Sequence, residues 1–182
     1  MKTLLLLCAA LLTSGKTTPE VTLPAADTYF YGTLNGKKFT GRPGEFYYWF
    51  AGEDLFLSCN FSESEMFYAW INGMGPTART GTFAWYDGSS YAGQKGKAIL
   101  QQIIHGNSYS RPDTWRKVCE PGGHTKYQAS EGGITISKIE TANGETFLEG
   151  TMTATLWDNR TRCNAAKAAD VSIAFRIAES KL

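Results

Sequence analysis

Histidine is almost missing: the 182 residues hold two, which removes the usual multi-histidine metal site. Charge of one sign is missing too. Eighteen Lys+Arg against 17 Asp+Glu leave +1, too little for a general attraction to nucleic acid or anionic lipid. Past the N-terminus, no apolar run approaches the roughly 18 residues of a membrane-spanning helix. The Gly-x-Ser-x-Gly elbow of serine hydrolases is absent. Gly96-Lys97 stands as in a phosphate-binding loop, but Tyr91 occupies the place of its first glycine and Ala98 that of its hydroxyl residue. That chemistry is therefore set aside.

What is present supports a core. Hydrophobic residues make up 42% and charged residues 19%, the balance of a single folded domain rather than a disordered chain. Met1-Lys2 and the apolar Leu4–Leu12, ending in Thr13-Ser14-Gly15, read as a signal peptide over residues 1–15. A buried first helix is the alternative. Export places the protein in a periplasm, on an outer-membrane surface or outside the cell. A lipid-carrying leader would need cysteine where Gly15 stands, and Cys8 follows too bulky a residue to replace it. Residues 16–28, polar and with Pro19 and Pro24, read as a flexible tether, and 29–182 as one domain.

The domain alternates with the period of strands. Tyr29–Leu34 and Lys37–Thr40 flank Asn35-Gly36, whose positive φ angles suit a type I′ hairpin turn. Glu45–Ala51, Leu55–Phe61, Met66–Ile71 and Thr82–Tyr86 follow. Ile134–Ile139 leads through Asn143-Gly144 to Thr146–Trp157, and Val171, Ile173, Phe175 and Ile177 share one side of the last strand. Ala98–Ile104 is read as a strand, although its isoleucines also fit one helical face. Asn164–Asp170 has the alanine content of a helical turn. The expected fold is all-β, an antiparallel sandwich or partly closed barrel of about eight to ten strands. His105–Ser130 is its long irregular segment.

The polar tether, the opening Tyr31-Gly-Thr-Leu-Asn-Gly-Lys-Lys-Phe39 and the closing Gly133–Ile139, Leu148–Thr155 and Val171–Phe175 resemble uncharacterised lipoprotein-like β proteins of Bacteroidota. The resemblance covers the first and last thirds. It implies an all-β domain outside the inner membrane and carries no activity with it.

Export leaves three cysteines beyond the leader. Cys59 falls on the inward side of its strand. Cys119 and Cys163 lie in loop-like sequence and form the preferred disulfide, closing a loop of about 45 residues worth at most roughly 4 kcal/mol. Three reduced thiols are the alternative. For catalysis, Cys119 with His124 would make a thiolate–imidazole pair, the basis of an alternative reading as a small hydrolase, but no orienting third group is visible. His105, Cys119 and His124 lack the spacing of a zinc site. Glu45, Glu53, Glu63, Glu65 and Glu149 are read first as solubilising carboxylates. No cofactor is expected.

Aromatics, at 13%, are the enrichment that suggests a role. Tyr47, Trp49, Tyr68 and Trp70 fall opposite Phe46, Tyr48, Phe50, Phe67 and Ile71, so one set fills a core and the other faces outward. An outward set can stack on sugar rings or anchor a protein. Burial beneath a loop is the plainer explanation. Trp115 joins the candidates from a stretch where Arg111, Arg116, Lys117 and Lys126 mingle with Tyr109 and Tyr127. Asp113, Glu120 and Glu131 offset that charge, and export speaks against nucleic acid as partner. The expectation is a monomeric, non-enzymatic binding or surface-structural protein with a glycan or protein ligand, peripheral to an envelope. An inhibitor or immunity-type protein acting through a partner surface is the alternative that the sequence does not separate from it.

Overall fold

The computed structural model describes residues 28–41, 44–63, 65–86, 95–104, 112–113, 115–119, 125–129, 131–158 and 166–180. The expected leader and residues 16–27 of the tether lie outside them.

The described elements are thirteen strands: β1 Tyr29–Leu34, β2 Lys37–Thr40, β3 Phe46–Ala51, β4 Asp54–Asn60, β5 Glu65–Ile71, β6 Gly81–Ala84, β7 Ala98–Ile104, β8 Pro112–Asp113, β9 Trp115–Cys119, β10 Thr125–Ala129, β11 Gly132–Ala142, β12 Glu145–Asp158 and β13 Ala166–Glu179. The all-β expectation holds, as a sheet that nearly closes into a barrel. The ten strands read from alternation are all there. Three more, β8 to β10, lie within His105–Ser130. Two residues of β8 show no periodicity, and β9–β10 pair only with each other, so alternation had little to reveal them.

The expected helical turn at Asn164–Asp170 is corrected. Ala166–Asp170 opens β13, because β12 runs on to Asp158 and pairs with it through Leu156↔Ala169, Trp157↔Lys167 and Asp158↔Ala166. A ladder partner outweighs the helical preference of alanine. Ala98–Ile104 is a strand over that whole span. Its periodicity is blurred because Ala98, Ile99 and Leu100 are all buried, on both faces of the sheet.

The two long strands organise the rest. β12 and β13, 14 residues each, pair along their length. On the far edge of β13, β1 takes Val171–Arg176 and β3 continues in parallel at Ala178 and Glu179. On the far edge of β12 lie β11 and then β8. The path β3–β4–β5–β7–β8 returns to β12, and a parallel bridge from Trp85 to Ala98 also joins the end of β6 to β7. The ring closes through few bonds at β13–β3 and β7–β8.

Turn chemistry fixes registers. Asn35 and Gly36 (φ 50° and 75°) and Asn143 and Gly144 (φ 53° and 77°) adopt the left-handed conformations of type I′ turns. Asn35 ties the first hairpin to β13: its N–H donates to the Asp170 carbonyl at 2.8 Å, and its Oδ1 accepts from the Asp170 N–H at 2.9 Å.

The described interior is closely packed. Phe30, Phe46, Tyr48, Phe67, Trp85, Phe175 and the inward aliphatics of β4, β11, β12 and β13 form one core. The buried rings with polar tips satisfy them: the Trp85 indole donates to the Thr153 carbonyl at 2.8 Å and the Tyr48 hydroxyl to that of Thr146 at 3.4 Å. Inside, a cavity of about 10 Å³ remains beside Phe30, Cys59 and Met152. That is room for one water at most. Among the described residues no helix is long and apolar enough to cross a membrane.

Candidate functional site

The described interior is closely packed, and the outer wall carries the enrichment in rings that the sequence pointed to. Alternation on β3, β4 and β5 turns Phe46, Tyr48, Leu55, Leu57, Phe67, Ala69 and Ile71 into the core. Tyr47, Trp49, Phe56, Tyr68 and Trp70 are thereby placed on the outer face. The register aligns them. Trp49↔Phe56↔Trp70↔Ile99 forms one row across β3, β4, β5 and β7, and Tyr47↔Ser58↔Tyr68↔Gln101 forms the next.

The five rings make a continuous cluster. Trp49 stacks on Phe56 with centroids 5.4 Å apart and planes 16° from parallel. Tyr47 lies 5.7 Å from Trp49, and Trp70 lies 5.6 Å from Tyr68. Tyr68 sits centrally, 6.0 Å from both Trp49 and Phe56. Its row neighbour Ser58 is small and buried, which leaves space for the ring to lean toward Trp49. These offset and tilted contacts favour the ring quadrupoles as well as the area covered. All five rings are half-buried, each screened in part by its neighbours.

Tyr47, Trp49, Tyr68 and Trp70 are thus brought together. Phe56 was not among the sequence candidates, although it stacks on Trp49 and stands opposite Trp70 in the register. The signal was the turn. Only Gly52 and Glu53 separate the paired Ala51 and Asp54, and Gly52 has the positive φ of 64° that suits the first position of a type II′ turn. That register sets Trp49 opposite Phe56; a three-residue loop through Asp54 conceals it. Trp115 lies elsewhere, on β9 opposite Ala129.

Among the described residues the candidate acid–base groups are not brought together. Cys119 ends β9 opposite Thr125, while His124, His105 and Cys163 lie outside the described residues. The proposed thiolate–imidazole pair and the Cys119–Cys163 bridge therefore have no geometry here. Glu53 is exposed and meets Lys95 at 3.3 Å, and Glu149 meets the Arg176 guanidinium at 3.4 Å. Cys59 is buried as expected, and burial first, then the charge of Glu45, pushes its thiol well up from the ordinary range. Such a thiol is inert. Among the described residues no group of three or more His, Cys, Asp or Glu is placed to hold a metal ion. What the outer face offers is contact area.

No protein-family model, curated protein or solved structure matches the chain.

Proposed function

We propose that this protein is an exported, non-enzymatic binding module that takes a glycan on the outer face of β3, β4 and β5. The carrying observation is the cluster of Tyr47, Trp49, Phe56, Tyr68 and Trp70 on the outer side of three adjacent strands of a nearly closed sheet. Two strand spacings by one two-residue step make a platform of roughly 10 Å by 7 Å, the scale of one or two sugar rings. Stiff aromatic side chains lose little entropy on binding and give the apolar faces of sugars a broad contact. The leader-like N-terminus supports export. The likeness to lipoprotein-like proteins of Bacteroidota, carried by Tyr31–Phe39 and the closing strands, supports a place at a cell envelope.

The test is a glycan-array screen of residues 16–182, followed by titration of the strongest hit against Trp70→Ala and Trp49→Ala. Both variants should keep their melting temperature within about 5 °C and lose at least about tenfold in affinity. Retained affinity in both would remove the platform as the site. Array silence together with capture of one defined envelope protein, lost in the same variants, would assign the face to a protein partner.

A further inference from the structure

A second stretch of wall has a different composition. A groove of about 480 Å³ lies over β2, β1, β13 and β12. Two cross-strand rows build it: Thr40↔Tyr31↔Ala174↔Thr151, and Lys38↔Thr33↔Ser172↔Thr153. The middle of each row is short, Ala174 and Ser172, and supplies a low floor. Tyr31 and Lys38 are the tall side chains beside it. Tyr31 is 49% exposed, the one large hydrophobic residue open to that degree among those described. Its ring is steadied by Tyr29 at a centroid distance of 5.4 Å.

The polar groups of the groove are unused within the described structure. The hydroxyls of Thr33, Thr40, Thr151 and Ser172 make no hydrogen bond to described protein groups, and Lys38 has no described ion-pair partner. The described acidic groups of β12 and β13 on the same face, Glu149 and Asp170, are otherwise engaged. Glu149 faces Arg176 at 3.4 Å, and Asp170 accepts from the Thr155 hydroxyl at 3.0 Å. Lys37 adjoins Lys38 on the exposed edge strand and adds to the positive field.

We infer that this groove is a second ligand site, for a sugar carrying a carboxylate such as a hexuronate unit. Its volume falls within the range of roughly 300–1,000 Å³ typical of small-molecule sites. Tyr31 meets the apolar face of the pyranose. The threonine and serine hydroxyls, each able to donate and accept, exchange hydrogen bonds with the ring hydroxyls. The Lys38 ammonium pairs with the carboxylate, which selects uronates over neutral sugars of the same shape. The proposal is independent of the ring platform on β3–β5.

The experiment titrates ¹⁵N-labelled protein with trigalacturonate and, separately, with maltotriose as the neutral control. The expected result is uronate-dependent shifts at Tyr31, Thr33, Thr151 and Ser172, with maltotriose binding weaker by about tenfold or more at the same positions. Lys38→Met should weaken trigalacturonate by about tenfold and leave maltotriose unchanged, and rising salt should weaken only the uronate. Trp70→Ala should leave these shifts in place, so failure of the platform and failure of the groove are told apart. Lys38 is exposed, so its variant keeps the fold, which the unshifted amides of β4 and β5 report. Absence of shifts at the groove, equal affinity for both sugars, or unchanged uronate affinity in Lys38→Met would each overturn the assignment.

Discussion

Nη1 of Arg176 stands 3.0 Å from Oε2 of Glu140, with the arginine side chain 5% exposed although its position on β13 points out of the barrel. Glu149 approaches the same nitrogen at 3.4 Å, and the guanidinium carbon lies 4.7 Å from the centre of the Phe147 ring. Arg176 thus acts as a lid over an outward phenylalanine and as the counter-charge for two carboxylates. Arg176→Met keeps the apolar cover and loses the charge, at a cost of about 1–2 kcal/mol, since both carboxylates keep some water. Arg176→Ala also uncovers Phe147 and should cost about 2–4 kcal/mol. Urea midpoints that rank Ala below Met below wild type would support this division; equal midpoints would leave the ring contact with no share.

Acidification probes the same network through Glu140. Hydrogen bonds from Lys138 first, then Arg176, hold its carboxyl below its ordinary value of 4.5. A depressed folded value means that the unfolded chain takes up the proton first. The stabilisation is therefore complete above about pH 4.5 and drains away as pH falls through the lower folded value. In urea titrations from pH 6 to pH 3, wild type should lose its advantage over Glu140→Gln as acid is added. A gap that stays constant would exclude the carboxylate as its source.

Backbone closeness sets a second kind of limit. A Cβ on Gly150 would lie 2.0 Å from the Thr135 carbonyl oxygen and 2.8 Å from Cζ of Phe175, so β12 could accept it only by parting from β11. Gly144, at φ +77° in its turn, has nothing within 4 Å of that position. Gly150→Ala should therefore destabilise by more than about 3 kcal/mol, and Gly144→Ala by about 1 kcal/mol from backbone strain alone. Denaturation of the two variants side by side decides the point. Similar losses would mean that the sheet absorbs the clash.

Those two glycines also show what the sequence could disclose. Asn143-Gly144 announces a turn in two letters, because few other pairs accept two left-handed residues. Gly150 sits in an alternating run and reads as an ordinary inward position; only the approach of β11 gives it meaning. The same holds for the ring cluster. Parity alone put Tyr47, Trp49, Tyr68 and Trp70 on one side of their strands. Which strands lie side by side, and hence that Phe56 stands between Trp49 and Trp70, depends on turn length and sheet order. The groove was less visible still. Thr33, Thr151 and Ser172 are common solvent-face residues, and nothing local says that β1 and β12 flank the same strand. Long-range pairing is what sequence patterns leave open.

The indole of Trp85 couples packing to pairing. It is 2% exposed and donates to the Thr153 carbonyl, while its backbone bridges to Ala98 and helps close the ring of strands. Trp85→Phe removes the donor, strands a carbonyl and leaves part of the ring volume empty, for about 2–3 kcal/mol. Trp85→Ala should cost about 3–5 kcal/mol and raise amide exchange on β6 and β7 before other strands. Uniform acceleration across all strands would instead show that this seam opens only with the whole domain.

Cys59 offers a chemical readout of the core. Its thiol packs where Gly41, Phe30 and Phe46 converge, since a Cβ on Gly41 would lie 3.0 Å from an atom of each of Cys59, Phe30 and Phe46. It is 2% exposed, and burial followed by the charge of Glu45 disfavours the thiolate. Alkylation needs both the thiolate and access, so Cys59 should resist iodoacetamide at pH 8 in the native protein and react once urea passes the unfolding transition. Peptide mass mapping separates it from Cys119 and Cys163, and the same digest without reductant reveals whether those two are joined. Native labelling of Cys59 at the rate of a free thiol would show that the β1–β3–β4 corner opens locally. Protection that fails together with the global urea transition would place this corner in the cooperative core, where Cys59→Ala should cost about 1–2 kcal/mol.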